Sequence, residues 1–404
     1  MPRFSIRTIG IGAVVLLLVG TLSAVKVFRG GPNRAEPAST PPSSPSHTAT
    51  STGTTSPGTT PGTTPAPPLA SPLGVDPRPA IVALLAQRVG FAKDVTGGDG
   101  GRLVHVTTPA DDVDNPPAGS LRAALSQPGK AWVIFDGDYT IQLAGGLQVS
   151  SDKTIDGRGR RVTITGHGQP GLLVTNQSNV IIENLIFTDF GDTALSGKND
   201  TPDAINITSS TGVWIDHSTL SKAGDKLISV QDGSSGITVS WNRFLDQDQT
   251  IQLGAQANRE ADVHMRVTLH HNFFDRTGYR NPVVSYGWAH SFNNYLLGWR
   301  QYGARSERNA QLVLENNVFS TDNNKPATLV KPAGDGCNDA KTRCDKRPGF
   351  IKLTGNLTLA GPAPKASQPD QVFDPARYYP YRAEPASAPL AAEISAGAGW
   401  QPAD

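Results

Sequence analysis

The stretch Val-Thr-Leu-His-His-Asn-Phe-Phe, residues 267–274, follows an eight-place pattern of apolar, any, apolar, any, any, Asn, any, apolar. The pattern returns with its Asn in four further places: Ile237–Phe244, Ala289–Leu296, Leu312–Phe319 and, more loosely, Ile351–Thr358. Two earlier copies, Val180–Phe187 and Val213–Leu220, keep the apolar frame without that Asn. The second half of the chain is therefore built on an internal repeat.

The spacing of these copies indicates the fold class. Copies start 24, 22 and 23 residues apart in three cases, and the intervals of 33, 30 and 39 read as the same period plus inserted loops. A short fixed period rich in β-branched and aromatic residues is typical of a β-solenoid, with each copy forming one strand of a coil. A repeated Asn can hydrogen-bond its counterparts across the inter-strand spacing of about 4.8 Å. A sandwich of evenly spaced strands is the alternative, but it would seldom reuse one Asn position.

Length, charge and cysteine content narrow the function classes. A solenoid grows in one dimension, so a chain of 404 residues can form one domain. The formal charge of +1 gives no indication of a nucleic-acid-binding surface. Cys337 and Cys344 lie in a polar loop, where their spacing favours a small disulfide in an exported protein over a pair of metal ligands.

The N-terminal composition predicts export. A mostly apolar run at 9–25 follows two arginines and precedes further basic residues. Its length is long for a signal-peptide core and short for a spanning helix, so residues 1–30 are either a signal peptide or a retained membrane anchor. Residues 31–74 are rich in Pro, Ser and Thr, which predicts a disordered linker. We expect a secreted or surface-anchored protein whose folded domain occupies 75–404.

Several motifs occur in a specific order around the repeat: Asp203-Ala204-Ile205, Trp214-Ile215-Asp216-His217 and Arg280-Asn281-Pro282. Upstream lie Ser120–Leu125 and Thr154–Gly159. This order resembles that of the pectate lyase family of polysaccharide lyases, part of the pectate lyase/pectin lyase superfamily, over roughly residues 90–319. The resemblance implies an all-β fold, a right-handed parallel β-helix (solenoid). It also implies a short N-terminal capping helix at Ser120–Leu125, whose apolar spacing fits an amphipathic helix.

The spacing of four polar residues agrees with a common groove. Asp203, Asp225 and Arg280 lie ten, twelve and nine residues before the pattern in their own coils, and Gln249 lies eighteen before it in a longer coil. These residues fall at similar angular places on successive coils, so Asp203 and Asp225 can share one ion, with Arg280 two coils further along. A polar row along such a groove suits an extended polymer.

The chemistry implied by the resemblance is β-elimination of a 1,4-linked galacturonan. A Ca²⁺ ion held by Asp203 and Asp225 would neutralise the uronate carboxylate and stabilise the transition state. Arg280 would remove the proton at C5. A guanidinium ordinarily stays protonated, so an arginine that remained charged would serve instead as an electrostatic clamp.

Three departures from the family pattern remove charge from the groove. The third acidic calcium ligand falls on Ser229, a lysine falls on Gln249, and a second arginine falls on Ser285. Fewer charged ligands weaken Ca²⁺ binding, and losing cationic side chains removes carboxylate clamps. We nevertheless count Ser229 as a candidate metal ligand, and we count Gln249, Lys226, Pro282 and Ser285 as candidate substrate-binding residues.

Three functions follow from this residue set. The first is a calcium-dependent pectate lyase that acts as a monomer on polygalacturonate or a related polyuronate. The second is a lyase for methyl-esterified pectin that needs little calcium, with Lys226 beside Asp225 as the cation. The third is a non-catalytic β-helix that binds polysaccharide. Asp216, His217 and His290 are interpreted as structural residues near the site.

Overall fold

The computed structural model describes residues 78–191, 202–254, 260–330 and 347–402. The predicted leader, the predicted linker and both cysteines lie outside these ranges, so those three predictions stay predictions. Among the described residues, no helix has both the length and the apolar content needed to cross a bilayer.

Three parallel sheets make up the β-structure of the described residues, with ten, nine and eight strands. Sheet 1 contains Arg102–Val106, Ala131–Phe135, Lys153–Asp156, Ser178–Glu183, Thr211–Asp216, Ser235–Ser240, Arg266–His270, Trp288–Phe292, Gln311–Glu315 and Phe350–Thr354. Sheet 2 contains Tyr139–Gln142, Val162–Thr165, Ile186–Thr188, Thr219–Ser221, Arg243–Leu245, Phe273–Asp275, Tyr295–Leu297, Val318–Ser320 and Leu357–Ala360. Sheet 3 contains Leu147–Gln148, Leu172–Thr175, Ile205–Thr208, Lys226–Gln231, Gln249–Leu253, Val283–Ser285, Ala304–Glu307 and Thr328–Val330.

The chain visits sheets 1, 2 and 3 in turn, and each strand pairs with the equivalent strand of the coil before and the coil after. Such a path is a right-handed parallel β-helix, as predicted. Its interior is filled by rows of aliphatic side chains in register, for example Ile182, Ile215, Val239 and Leu269 in sheet 1. Stacking in register removes these side chains from water in every coil, which is the main stabilising contribution.

The eight-residue pattern forms two strands rather than the single strand predicted. Its first half ends a strand of sheet 1, and its last residues begin a strand of sheet 2. The fifth residue of the pattern lies between the two strands and has a left-handed backbone. The residues and their φ angles are Asn184 (56°), His217 (44°), Trp241 (51°), His271 (54°), Asn293 (48°) and Asn316 (49°). This conformation bends the chain between the sheets, and bulky residues adopt it here because ladder bonds on both sides fix the backbone.

The predicted Asn ladder is present at that bend. The Oδ1 atom of Asn272 accepts hydrogen bonds from the backbone N–H of Asn242 at 3.0 Å and from its Nδ2 at 3.2 Å. Asn272 donates in the same way to Asn294, and the row continues through Asn317 to Asn356. The ladder therefore satisfies backbone donors at a bend that leaves them without sheet partners.

Three helices cover parts of the β-helix. Leu121–Ser126 (α2) begins at the N-cap Ser120, whose Oγ accepts from Ala123 N at 3.2 Å. Leu121, Ala124 and Leu125 join the interior core, so α2 closes the N-terminal end as predicted. Two further helices were not predicted: Arg78–Leu85 (α1) packs on the outer face of sheet 1, and Ala388–Gly397 (α3) packs on sheet 2. Short 3₁₀ turns occur at Gly90–Ala92, Glu260–His264, Pro369–Gln371 and Pro375–Arg377.

Candidate functional site

Four of the predicted site residues meet where successive strands of sheet 3 begin. Lys226 and Gln249 are register partners, and Asp225 directly precedes Lys226. Gln249 is bridged in turn to the residue before Arg280. Asp203 lies one coil earlier, and its Oδ1 accepts a hydrogen bond from the backbone N–H of Lys226 at 3.0 Å. The row inferred from sequence spacing therefore exists in the structure.

The Lys226 ammonium lies between the two aspartates of this row. Its Nζ is 3.3 Å from Oδ1 of Asp203 and also pairs with Oδ2 of Asp225. The three side chains are only 14%, 11% and 15% exposed for Lys226, Asp203 and Asp225. A nearly buried ion pair is stable only when each charge is well matched, and here one cation serves both carboxylates.

The second oxygen of Asp203 is also occupied. Its Oδ2 accepts from the Ser229 hydroxyl at 2.5 Å and from Nδ2 of Asn206 at 3.3 Å. Ser229 is buried and directs its proton toward Asp203.

Ca²⁺ prefers six to eight oxygen ligands rich in carboxylate charge. These side chains offer two carboxylates that already hold a lysine, so the donor set does not fit calcium and no step is assigned to it.

Arg280 is presented by an unusual backbone. It has a φ of 62°, in the left-handed region that non-glycine residues rarely adopt. The following Asn281–Pro282 peptide is cis, and Pro282 is buried, so Pro282 supports the turn and does not face the groove. One guanidinium nitrogen of Arg280 donates to Oε1 of Gln252, and the Arg280 Cζ lies 5.4 Å from the centre of the Tyr279 ring.

Arg280 faces a polar cavity of about 310 Å³, small for a ligand pocket. Tyr279, Tyr302 and Arg305 also line it. Burial raises the pKa of Tyr302 to about 12 and also raises the pKa of Tyr279, so both phenols keep their protons at neutral pH. Arg308 and Glu307 complete the charged lining, so the cavity presents three guanidinium groups, two phenol groups and one carboxylate. The excess of cationic groups suits an anionic, oxygen-rich ligand.

Arg305 was missed by the sequence analysis. It pairs in register with Val283, which pairs with Gln252, so it joins the Arg280 row from the next coil. Its Nε is buried without a hydrogen-bond partner among the described residues. Another nitrogen of the same guanidinium pairs with Glu307, and a second carboxylate in the cavity would satisfy the remaining donor, Nε. The Arg305-Ser306-Glu307-Arg308 cluster of charges was the available sequence signal.

Ser285 was predicted to bind substrate in the groove, but its side chain does not contact the groove. It is 1% exposed, its hydroxyl donates to Oε1 of Glu307 at 2.8 Å, and it accepts from Arg308 at 3.2 Å. Glu307 also pairs with Arg305 and Arg308. The small Ser285 side chain thus leaves room for arginines contributed by the following coil.

Asp216, His217 and His290 do not lie near this groove. Asp216 and His290 are in strands of sheet 1, and His217 is at the bend toward sheet 2, whereas the groove follows sheet 3. His290 is fully buried, with Nδ1 2.7 Å from the Tyr379 hydroxyl and Nε2 3.2 Å from Glu315. Burial lowers the pKa of His290, which keeps its ring neutral. Proximity along the sequence misled the prediction because one coil passes through all three sheets.

Comparison with known proteins identifies the family. The family model described as pectate lyase matches residues 143–402. Putative pectate lyase 21 of Arabidopsis thaliana is 39% identical over 245 residues, covering 59% of this chain and 62% of that protein. Pectate lyase 4 of Ambrosia artemisiifolia is 36% identical over 243 residues, covering 57% of this chain and 60% of that protein.

Solved structures of other proteins have the same fold. The crystal structure of jun a 1, the major allergen from cedar pollen, is 27% identical with a TM-score of 0.66, covering 81% of this chain and 96% of that chain. The structure of a thermostable pectate lyase shares the fold, with a TM-score of 0.60 and 20% identity. The match covers 77% of this chain and 96% of the thermostable enzyme's chain. The chain spans about 60% of the length of the first two curated relatives it matches. The repeat, the three-sheet coil and the family match lead to one conclusion: the chain belongs to the pectate lyase family.

Proposed function

We propose that the protein is a polysaccharide lyase that cleaves 1,4-linked galacturonan by β-elimination in the groove along sheet 3. The observation that supports this best is that Arg280 and Arg305 line one cavity at sheet 3, with Lys226 at the start of another strand of the same sheet. Guanidinium groups suit the carboxylates of acidic sugars, and strands about 4.8 Å apart suit an extended chain of them.

The reaction requires three events at one sugar. The C5–H bond breaks, its electron pair forms the C4=C5 double bond, and the C4–O bond breaks with the leaving oxygen taking a proton from water. Arg280 is proposed to receive the C5 proton as a neutral guanidine, because its fixed backbone and its bond to Gln252 hold it in the cavity. A charged Arg280 could not accept that proton and would act only as an electrostatic clamp. Arg305 and the phenol of Tyr302 would bind the uronate carboxyl group and stabilise charge that develops on it.

Lys226 is proposed to supply the positive charge that the resemblance assigned to calcium. Its ammonium already pairs with Asp203 and Asp225, and a second cation would have to displace it from both. A calcium-assisted reaction on pectate stays the alternative, and it requires Lys226 to leave both carboxylates.

Methyl-esterified pectin is the second candidate substrate. An ester carries no negative charge and already acidifies the C5 proton, so it needs less positive charge in the groove. The net charge of the Asp203, Asp225 and Lys226 cluster is −1, which favours a neutral ester over a carboxylate at that end of the groove.

Export is also proposed, on the sequence of residues 1–30 alone. Cell fractionation combined with N-terminal sequencing of the mature protein tests it. A protein that begins near residue 30 outside the cell supports a cleaved signal peptide, and intact protein in the membrane fraction supports an anchor.

The activity test is the appearance of ultraviolet absorbance from the unsaturated uronide product. Polygalacturonate and highly esterified pectin are each incubated with the protein, in calcium or in chelator. We expect product on polygalacturonate, and activity in chelator supports Lys226 as the cation. Activity that requires calcium would overturn the role of Lys226, and no product on either polymer would overturn the lyase and leave the binding module.

Lys226→Ala sharpens this test because it frees both aspartates. The variant is expected to lose the activity measured in chelator and to regain part of it in calcium. Lys222→Ala is the matched control, since Lys222 is exposed and close in sequence. Equal activity of Lys226→Ala and the control in chelator would contradict the assignment.

A further inference from the structure

A second cluster of charged side chains lies on sheet 1, away from the groove. Asp156, Glu183 and Asp216 are register partners at the ends of three successive strands. They are 6%, 3% and 1% exposed. Three stacked carboxyl groups this deeply buried require a balancing cation or proton, because isolated buried charges are costly.

The outer two members of the stack have partners. Asp156 accepts from Trp132 Nε1 at 2.9 Å and from the Arg158 guanidinium at 2.7 Å. Asp216 accepts from Ser240 and lies 2.7 Å from Nδ1 of His217.

The middle member is not satisfied. Oε2 of Glu183 is buried with no hydrogen-bond partner among the described residues. Glu183 and His217 line a cavity of about 540 Å³, with Arg158 and Leu84 on other walls. Hydrogen bonds of 3.0 and 2.7 Å between Asn184 and Gln401 hold the C-terminal segment against this cavity. The unsatisfied oxygen therefore belongs to a residue that borders open space large enough for an ion and its waters.

We propose that Glu183, Asp216 and His217 form a binding site for a divalent transition-metal ion of the Zn²⁺ type. One ligand atom from each residue lies within 4.8 Å of the other two. Tetrahedral Zn²⁺ with bonds of about 2.0–2.2 Å places its ligands roughly 3.3 Å apart, so a small contraction of this cluster suffices.

The donor types select the class of ion. Two carboxylates and one imidazole suit Zn²⁺ and its neighbours, whereas Ca²⁺ and Mg²⁺ prefer oxygen donors alone. The Asp216–His217 hydrogen bond orients the imidazole before an ion arrives. The cavity supplies water for the fourth ligand position. A bound ion would link sheet 1 to the bend at His217, so its expected effect is on stability.

Calorimetric titration of the full chain with Zn²⁺ tests the site, after chelator treatment and alkylation of Cys337 and Cys344. We expect one saturable equivalent of Zn²⁺, visible absorption bands of low-coordinate Co²⁺ on substitution, and no comparable binding of Mg²⁺. Thermal unfolding should shift upward with Zn²⁺. These readouts do not involve polymer cleavage, so their failure is separate from failure of the lyase.

Glu183→Gln and His217→Gln should each weaken Zn²⁺ binding by at least about tenfold. His167→Gln is the matched control, because His167 also faces an aspartate, Asp189, at 3.2 Å but has no third ligand among the residues that the structure describes. Circular dichroism confirms that each variant is folded. Absence of saturable binding, or unchanged affinity in folded Glu183→Gln, would overturn the metal site and leave a shared proton as the balancing charge.

Discussion

Replacing Asn272 by Ala tests the ladder at a fully buried rung. Asn272 is 0% exposed, and its amide accepts two hydrogen bonds from Asn242 and donates to Val239 O at 2.8 Å and Asn294 Oδ1 at 2.8 Å. Truncation strands the backbone N–H of Asn242, which costs about 1–3 kcal/mol, and each further lost bond costs about 1 kcal/mol. We therefore expect the free energy of unfolding to fall by about 4–6 kcal/mol.

Denaturant-induced unfolding measures this loss, provided that the dependence on denaturant is unchanged between variants. Asn356→Ala is the control, because Asn356 accepts the same pair of bonds from Asn317 but is partly exposed. Water can satisfy the freed donor there, so the expected loss is about 1 kcal/mol. Equal losses at the two rungs, or a loss below about 1 kcal/mol for Asn272→Ala, would refute the account of the ladder.

Three further predictions concern the groove and the pH dependence. Arg280→Lys should lower kcat by about 10²–10⁴ while leaving polymer binding, measured by affinity electrophoresis, unchanged; near-normal kcat would contradict its role. Arg305→Gln should raise KM about tenfold on polygalacturonate and little on fully esterified pectin, and equal effects would exclude carboxylate binding. Burial lowers the pKa of His271 from 6.5 to about 4, so its contribution to stability is complete above pH 6.5 and is lost as pH falls through 4. That contribution is about 3 kcal/mol, and His271→Gln should flatten the stability curve between these pH values by that amount.

The solenoid could be predicted because the repeated Asn and apolar positions in the sequence correspond directly to residues that stack from coil to coil. The strand boundaries could not, because His271 and Trp241 adopt left-handed backbones that their residue types do not signal. In a sequence, a bend without glycine or proline cannot be distinguished from a continuous strand.

The candidate site was predictable where residues occur at regular offsets before the pattern, as with Asp203 and Asp225. Arg305 was not predicted as a site residue, because its position opposite Val283 depends on strand register within sheet 3. The sequence pattern lies in sheets 1 and 2 and does not define that register. The contact of Lys226 with both aspartates depends on side-chain direction across two strands, which spacing alone does not give.

The unequal coil lengths have a practical consequence. Three start-to-start intervals of the sequence pattern, 33, 30 and 39 residues, exceed the others, which are 22 to 24 residues long. Added loop length costs little, since doubling a loop costs only about 0.6 kcal/mol. Asp203 belongs to the 33-residue interval, so varying the sequence of that interval ahead of Asp203 is a route to new polymer preferences. The candidate site residues would keep their positions on the β-helix after each such change.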